Sequence, residues 1–199
     1  MKIAIFFGSQ SDIEKMRGAA NCLKEFEIEY EAYVLSAHRV PEKLEEVLID
    51  VEKRGAEVII AGAGLAAHLP GVIASKSLLP VVGVPLNGAI GGLDALYSIV
   101  QMPKSIPVAT VGIDNSYNAG MLAVQILAIK YPEIKEKLVK FRKEMKDKFI
   151  LMHVSIEDME GIENFAALII RKDNPNVLDI VAEFSNTVAM FRVKPNSHD

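Results

Sequence analysis

Cysteine is almost absent from this sequence, because Cys22 is the only one among 199 residues. A single cysteine cannot form an intrachain disulfide, which favours a reducing compartment. Cys22 falls within a helix-like run, so a buried and inert thiol is a better interpretation than a nucleophile. We therefore expect a cytoplasmic protein.

An excess of positive charge and a long apolar run are also missing. The net charge is −4, so binding to a nucleic acid or to an acidic membrane surface, which needs clustered Lys and Arg, is not expected. The most apolar segment, residues 72–90, is interrupted by Lys76, Pro80 and Pro85. A bilayer span needs about 20 predominantly apolar residues, so we expect no membrane segment here.

Several signatures of known chemistry are lacking. The stretch Gly8–Asp12 is neither a dinucleotide fingerprint nor a Walker A loop, and it lacks the Gly-x-Ser-x-Gly elbow of hydrolases. His-Glu-x-x-His is absent, and His38 and His68 have no carboxylate or thiolate at a useful spacing. The sequence therefore predicts no metal site.

What is present is an alternation of apolar and amphipathic runs. Strand-like runs cover about 2–7, 28–35, 57–61, 80–84 and 107–111, with helix-like runs between and after them to about residue 149. This alternation predicts an α/β protein with a three-layer, doubly wound parallel sheet. We expect a catalytic domain at 1–149 and a small C-terminal appendage at 150–199. In the appendage we expect strands at 151–156, 166–171 and 188–193 and a short helix at 177–184.

Loops rich in polar or small residues follow the first three predicted strands. The first, Gly8–Asp12, opens a helix, so backbone N–H groups, Ser9 and Ser11 could hold a phosphate, while Asp12 would suit a ribose hydroxyl. The same residues are equally compatible with an ordinary capped turn. Ligands bind beyond the carboxyl ends of the strands in such sheets, so we expect the three loops to form one site.

The second loop, Ser36-Ala37-His38-Arg39, places an imidazole beside a guanidinium. Imidazole ionises near neutral pH and can act as both acid and base, and a guanidinium can hold a phosphate or carboxylate through two hydrogen bonds. The alternative is a histidine that only bonds backbone groups. The residue types favour a functional pair.

The third loop, Ala61–Gly71, is rich in Gly and Ala, which would let a ligand approach the backbone closely. Tight packing of a helix against a strand would explain the same glycines. His68 precedes the expected start of the next helix, and taken alone it is slightly better explained as a structural histidine.

Taken together and in order, these stretches resemble the PurE family of purine biosynthesis. The family pattern Gly-Ser-x-Ser-Asp, Ser-Ala-His-Arg/Lys and Gly-Ala-Gly-x-Ala-Ala-His-Leu-Pro-Gly is present at 8–12, 36–39 and 62–71. Two further family stretches are similar to residues 92–103 and to 107–111, the latter followed by Asn118-Ala119. The resemblance covers about residues 2–149.

The resemblance implies a flavodoxin-like fold, a homo-octamer and an enzyme that uses neither a metal nor an organic cofactor. Its partner would be a small-molecule ribonucleotide, a carboxylated aminoimidazole ribonucleotide. His38 would be the catalytic general acid and base that moves CO2 from the exocyclic amine to ring carbon C4, and His68 would line the CO2 pocket. The substrate-binding residues implied by the family match are Gly8, Ser9, Ser11, Asp12, Ser36, Ala37, Arg39, Gly62, Ala63, Gly64, Ala67, His68 and Leu69.

The family has two branches, and both stay open at this point. The mutase acts on N5-carboxyaminoimidazole ribonucleotide, whereas the carboxylase uses free CO2. Arg39 and His68 favour the mutase, since the carboxylase branch typically has Ser-Ala-His-Lys and a polar loop at 66–69. A third hypothesis is a non-catalytic nucleotide-binding module whose extension is the working part.

Three features depart from the family pattern. Leu65 stands where the mutase commonly has Gly, and Lys104-Ser105-Ile106 replaces a common Gly-Gly pair. The segment 86–91 is shorter than usual and lacks the common Ser or Thr. We expect these positions to change the details of the substrate loops.

Overall fold

The computed structural model describes residues 1–148 and three strands of the C-terminal part, Leu168–Asn174, Val177–Phe184 and Thr187–Val193. The chain divides into two compact units, Met1–Lys137 and Leu138–Asp199. The boundary falls inside a helix that begins at Pro132.

Strands and helices alternate through the first unit, as the sequence pattern predicts. The strands are β1 Lys2–Phe7, β2 Glu29–Val34, β3 Ala56–Gly64, β4 Val81–Leu86 and β5 Ala109–Thr110. The helices are α1 Ile13–Glu25, α2 Pro41–Lys53, α3 Leu69–Lys76, α4 Leu93–Val100 and α5 Ser116–Lys130, and the last helix, α6 Pro132–Lys148, begins in the first unit and ends in the second. Short 3-10 turns at Gln10–Asp12 and Ile90–Gly92 precede α1 and α4.

The five strands form one parallel sheet in the order β2-β1-β3-β4-β5. This is the order of flavodoxin-like folds, which bind ligands where the strand order reverses, between β1 and β3. The predicted fold class is therefore confirmed. Because every strand is parallel, the loops that follow β1 to β4 leave the same edge of the sheet.

Local sequence explains why the elements begin where they do. Lys2–Phe7 is a continuous apolar run, and five of its six residues are buried, as in a strand covered on both faces. Pro41 occupies the first turn of α2, where its missing N–H is not needed. The side chain of Asn115 accepts a hydrogen bond from the Asn118 N–H and caps α5.

Helices cover both faces of the sheet. On one face, residues of α2, α3 and α4 pack with β1 and β3 in a buried apolar cluster that includes Phe6, Leu48, Ile59, Ile73 and Ile99. On the other face α1 and α5 pack closely together. Their approach depends on Gly120, where an added Cβ would lie 2.7 Å from Cys22 Cβ. Cys22 is fully buried there, and burial raises the pKa of its thiol to about 12, as expected for an inert cysteine.

Strand β3 is longer than the sequence predicts. Gly62, Ala63 and Gly64 are paired with Val84, Pro85 and Leu86 of β4, so the glycine-rich loop begins only at Leu65. Small residues are needed inside this strand for packing, because a Cβ on Gly62 would lie 2.3 Å from the sulfur of Met16. Gly62 and Gly64 therefore belong to the sheet, although in sequence they resembled part of a loop.

The second unit contains a three-stranded antiparallel sheet in the order β6-β7-β8, with β6 Leu168–Asn174, β7 Val177–Phe184 and β8 Thr187–Val193. The helix predicted at Val177–Phe184 is wrong, because this segment is β7 and pairs with both neighbours. Leu178, Ile180, Ala182 and Phe184 recur at the period of two that defines a strand face. The strand predicted at 151–156 lies outside the described residues.

Candidate active site

A cavity of about 710 Å³ lies at the carboxyl edge of the parallel sheet. It is lined by the loops that follow β1, β2, β3 and β4 and by the first turn of α1. The three loops singled out by sequence therefore converge, as expected for strands that all point to one edge.

The loop after β1 presents hydroxyl groups and a carboxylate to the cavity. Ser9 Oγ accepts hydrogen bonds from the Ser11 N–H at 3.3 Å and from Ser11 Oγ at 3.0 Å. Because a hydroxyl also donates, Ser9 retains a proton for a ligand. Burial raises the pKa of the Asp12 carboxyl above its ordinary value, although the nearby positive charge of Lys15 opposes the shift.

Arg39 joins the loops after β1 and β2. Its Nη2 donates to the backbone carbonyl of Gly8 at 3.0 Å, and its side chain is exposed to the cavity. A guanidinium has five N–H donors, so Arg39 can hold the turn through Nη2 and bind an anion through the others. Together with Ser9 and Ser11, which line the same cavity, Arg39 is suited to hold a phosphate.

Two histidines that line the cavity contact each other. His38 Nε2 and His68 Nδ1 are 2.8 Å apart, and the rings meet edge to face with their centroids separated by 4.9 Å. His38 comes from the turn after β2, whereas His68 directly precedes α3. At this distance one nitrogen donates and the other accepts, so the pair shares one proton in the gap. Such a pair can give a proton to a ligand and take one back.

The structure brings most of the predicted site residues to this cavity. Its lining includes Gly8, Ser9, Ser11, Asp12, Ser36, Ala37, His38, Arg39, Ala63, Gly64, His68 and Leu69. Gly62 and Ala67 do not line it. Gly62 faces Met16 in the layer below, and Ala67 is buried in the apolar cluster against α2 to α4.

Several cavity residues were not among the predicted site residues, namely Lys15, Leu65, Ala66, Leu86, Asn87 and Gly88. Leu65 was noted only as a departure from the family pattern. It adopts φ +56, a left-handed conformation that a bulky side chain rarely takes, and this explains why glycine suits the position. Ser105, which replaces one of the common glycines, likewise has φ +80.

Within residues 1–148 and the three described C-terminal strands, no group of three His, Cys, Asp or Glu side chains is arranged to hold a metal. In the same part of the chain, no helix combines the length and the apolar character that crossing a membrane requires.

Comparisons with known proteins point to one family. The family model described as AIR carboxylase matches residues 2–148. The N5-carboxyaminoimidazole ribonucleotide mutase of Pyrococcus abyssi is 60% identical over 146 residues, which are 73% of this chain and 84% of that protein. The mutase of Pyrococcus horikoshii is 56% identical over 158 residues, 79% of this chain and 89% of that protein. The crystal structure of Treponema denticola PurE superposes with a TM-score of 0.69 at 27% identity, covering 82% of this chain and 99% of that one.

Proposed function

This chain belongs to the AIR carboxylase (PurE) family, and from that premise we propose that it is an N5-carboxyaminoimidazole ribonucleotide mutase of purine biosynthesis. The resemblance read from three short motifs is thus confirmed at the level of the family. The observation that carries the proposal is the position of the His38–His68 pair in the same cavity as Arg39 and the two serines. The cavity therefore combines groups suited to holding a phosphate with a pair suited to proton transfer.

The reaction needs one group that gives a proton and later takes one. His38 protonates the exocyclic nitrogen of the substrate, the N–C bond of the carbamate breaks, and neutral CO2 and the free amine result. Carbon C4 of the ring then attacks CO2 and forms a C–C bond. The proton that C4 loses returns to His38, so the enzyme ends in its starting state and no other reactant is consumed.

The substrate is held by its ribose phosphate end. Arg39 and the hydroxyls of Ser9 and Ser11 bind the phosphate, together with backbone N–H groups of the turn before α1. Asp12 accepts hydrogen bonds from ribose hydroxyls. In this proposal the imidazole ring of the substrate points towards His38, and its carboxyl group lies against the small residues at the end of β3, which line the cavity.

We assign this chemistry to residues 1–149, a range that the family match to residue 148 supports. The extension 150–199 has no chemical role in the proposal.

The protein works in the cytoplasm as a homo-octamer without a metal or an organic cofactor. Exposed apolar side chains support self-association: Leu93, Tyr97 and Val100 follow one stripe of α4 and are 44%, 58% and 51% exposed. Light scattering at micromolar concentration tests this, and a monomer would contradict it.

A paired-substrate assay tests the activity. The purified protein is given either N5-carboxyaminoimidazole ribonucleotide, or aminoimidazole ribonucleotide with bicarbonate. The proposal expects rapid conversion of the first substrate to 4-carboxy-5-aminoimidazole ribonucleotide, and little conversion of the second at low bicarbonate. Without turnover of the first substrate the mutase assignment fails.

The second candidate is the direct carboxylase, the activity named in the description of the matching family model. It would condense CO2 with carbon C4 of aminoimidazole ribonucleotide in the same pocket and release the C4 proton to His38. Efficient use of the second substrate pair, with no turnover of the carbamate, would select this activity.

A further inference from the structure

The loop after β4 is held by two hydrogen bonds to the backbone of one residue, Asn87. Lys15, on the first turn of α1, donates from Nζ to the backbone carbonyl of Asn87. The backbone N–H of Asn87 donates to Asp114 Oδ1 at 2.8 Å. Lys15 is partly buried and lines the cavity. Its ammonium group thus joins α1 to a backbone carbonyl 72 residues away in sequence. Both backbone polar groups of Asn87 are therefore bonded to neighbouring elements.

The next residue, Gly88, lies against Leu65. A Cβ on Gly88 would be 3.2 Å from Leu65 Cδ2, so the leucine side chain already reaches the loop after β4. Leu65 holds a left-handed backbone conformation and is 56% exposed. Strain of this kind persists where the surroundings hold the residue in place. Leu65 and Gly88 thus close a wall of the cavity between the loops after β3 and β4.

The position of this wall matters for the proposed chemistry. Free CO2 is small and uncharged, so no ion pair can retain it between the two bond-making steps. An enclosing wall that excludes water is the means left to the protein. The Leu65–Gly88 contact borders the same cavity as the His38–His68 pair.

We propose that Lys15 is a positioning residue, which holds Asn87–Gly88 against Leu65 and so closes the cavity around the carboxyl group in transit. The inference rests on the mutase function for its catalytic consequence, whereas the brace itself consists of contacts within the chain. Lys15 also lies beside Asp12 in the phosphate loop. The same side chain therefore links the substrate-holding loop to the wall.

Three variants isolate this role. Lys15→Met keeps the aliphatic stem and removes the donor, Lys15→Arg restores a donor, and Lys24→Met is a matched control on the exposed part of α1. Turnover of the carbamate substrate is measured in buffer containing 13C-bicarbonate, with the label in the product counted. We expect Lys15→Met to raise the labelled fraction about tenfold over wild type, because CO2 escapes and is replaced from solution. Lys15→Arg should recover most of the retention, and Lys24→Met should match wild type.

A second measurement does not depend on activity. Amide hydrogen exchange of the peptide that covers residues 86–92 is compared among the same proteins. The brace predicts faster exchange there in Lys15→Met only, with unchanged exchange in the central strands as evidence that the variant is folded. Leu65→Gly removes the side chain that contacts Gly88 but keeps Lys15, so it should leave this exchange near that of wild type.

The two proposals fail in different ways. If wild type does not convert the carbamate, the mutase assignment fails, while the exchange measurement still decides the brace. If exchange over 86–92 is the same in Lys15→Met and wild type, the brace is refuted whatever the activity. If exchange rises but the labelled fraction stays at the wild-type level, the role in CO2 retention is refuted.

Discussion

Replacing His68 by Phe removes the partner of His38 without removing a core residue. His68 is exposed, and phenylalanine retains an aromatic ring of similar size. What is lost is the 2.8 Å hydrogen bond between Nδ1 of His68 and Nε2 of His38. The variant therefore tests whether the histidine pair acts as a unit in proton transfer.

The size of the effect follows from that bond. A neutral hydrogen bond contributes about 0.5–1.5 kcal/mol, and one to a charged group about 1.5–3 kcal/mol. His38 carries the transferred proton in the proposed reaction, so the second range applies. Since about 1.4 kcal/mol is a factor of ten in rate, we expect kcat/KM for the carbamate substrate to fall about 10- to 100-fold.

His68→Asn gives a matched comparison. The asparagine Oδ1 takes the place of Nδ1 as an acceptor, so this variant keeps the bond when His38 Nε2 is the donor. We expect His68→Asn to lose less activity than His68→Phe, while the free energy of unfolding of both changes by less than about 0.5 kcal/mol, as at other exposed positions. Steady-state kinetics and denaturant unfolding measure the two quantities. Wild-type kcat/KM in His68→Phe would refute the reasoning.

Further predictions concern the cost of the site and the packing around it. Because burial raises the pKa of Asp12 above its ordinary value of 3.8, ionising it destabilises the folded protein as pH rises through that value. Asp12→Asn should therefore be more stable than wild type at pH 7, and this difference in stability should vanish in acid below pH 3.8. Its KM should rise, because a substrate contact is lost. Equal free energies of unfolding at neutral pH would contradict this prediction. Ser105→Gly should raise the free energy of unfolding, measured by chemical denaturation, by about 0.5–1 kcal/mol, because glycine removes the backbone strain of φ +80 at an exposed residue. A less stable variant would contradict this prediction. Gly120→Ala should lower the free energy of unfolding by about 1–3 kcal/mol, since its Cβ would lie 2.7 Å from Cys22 Cβ. The control Gly112→Ala, whose Cβ would have its nearest atom at 3.8 Å, should lower it little. Similar losses of stability in both variants would argue against close packing of α1 on α5.

Sequence alone predicted the site where polar side chains follow strands directly. Ser9, His38 and Arg39 lie in the turns that follow β1 and β2, so the common edge of a parallel sheet brings them together. Gly62 was expected to bind the substrate because the family match implied it, and its neighbours in sequence form a loop-like, glycine-rich run. In the structure that glycine gives room to Met16 of α1, a contact between distant elements that no local pattern reports.

The role proposed for Lys15 could not have been read from the sequence. The lysine lies within an amphipathic helix, where a solvated charge is the ordinary expectation, and it contacts a backbone carbonyl 72 residues away. A backbone acceptor leaves no residue signature, so only the folded arrangement of α1 and the loop after β4 places the two together. The misassigned Val177–Phe184 has a different cause, since a short apolar run with two acidic residues fits both a helix and a strand until its partners are known.

The central claim is that His38 transfers the proton that breaks and then completes the movement of CO2. Its most direct test is the turnover of N5-carboxyaminoimidazole ribonucleotide by His38→Asn, with binding of the product ribonucleotide measured on the same sample by calorimetry. The mutase account predicts a loss of kcat of about 1,000-fold or more, within the range for a general acid and base, with binding largely kept because Arg39 and the serines remain. Turnover near the wild-type rate in His38→Asn would contradict the account.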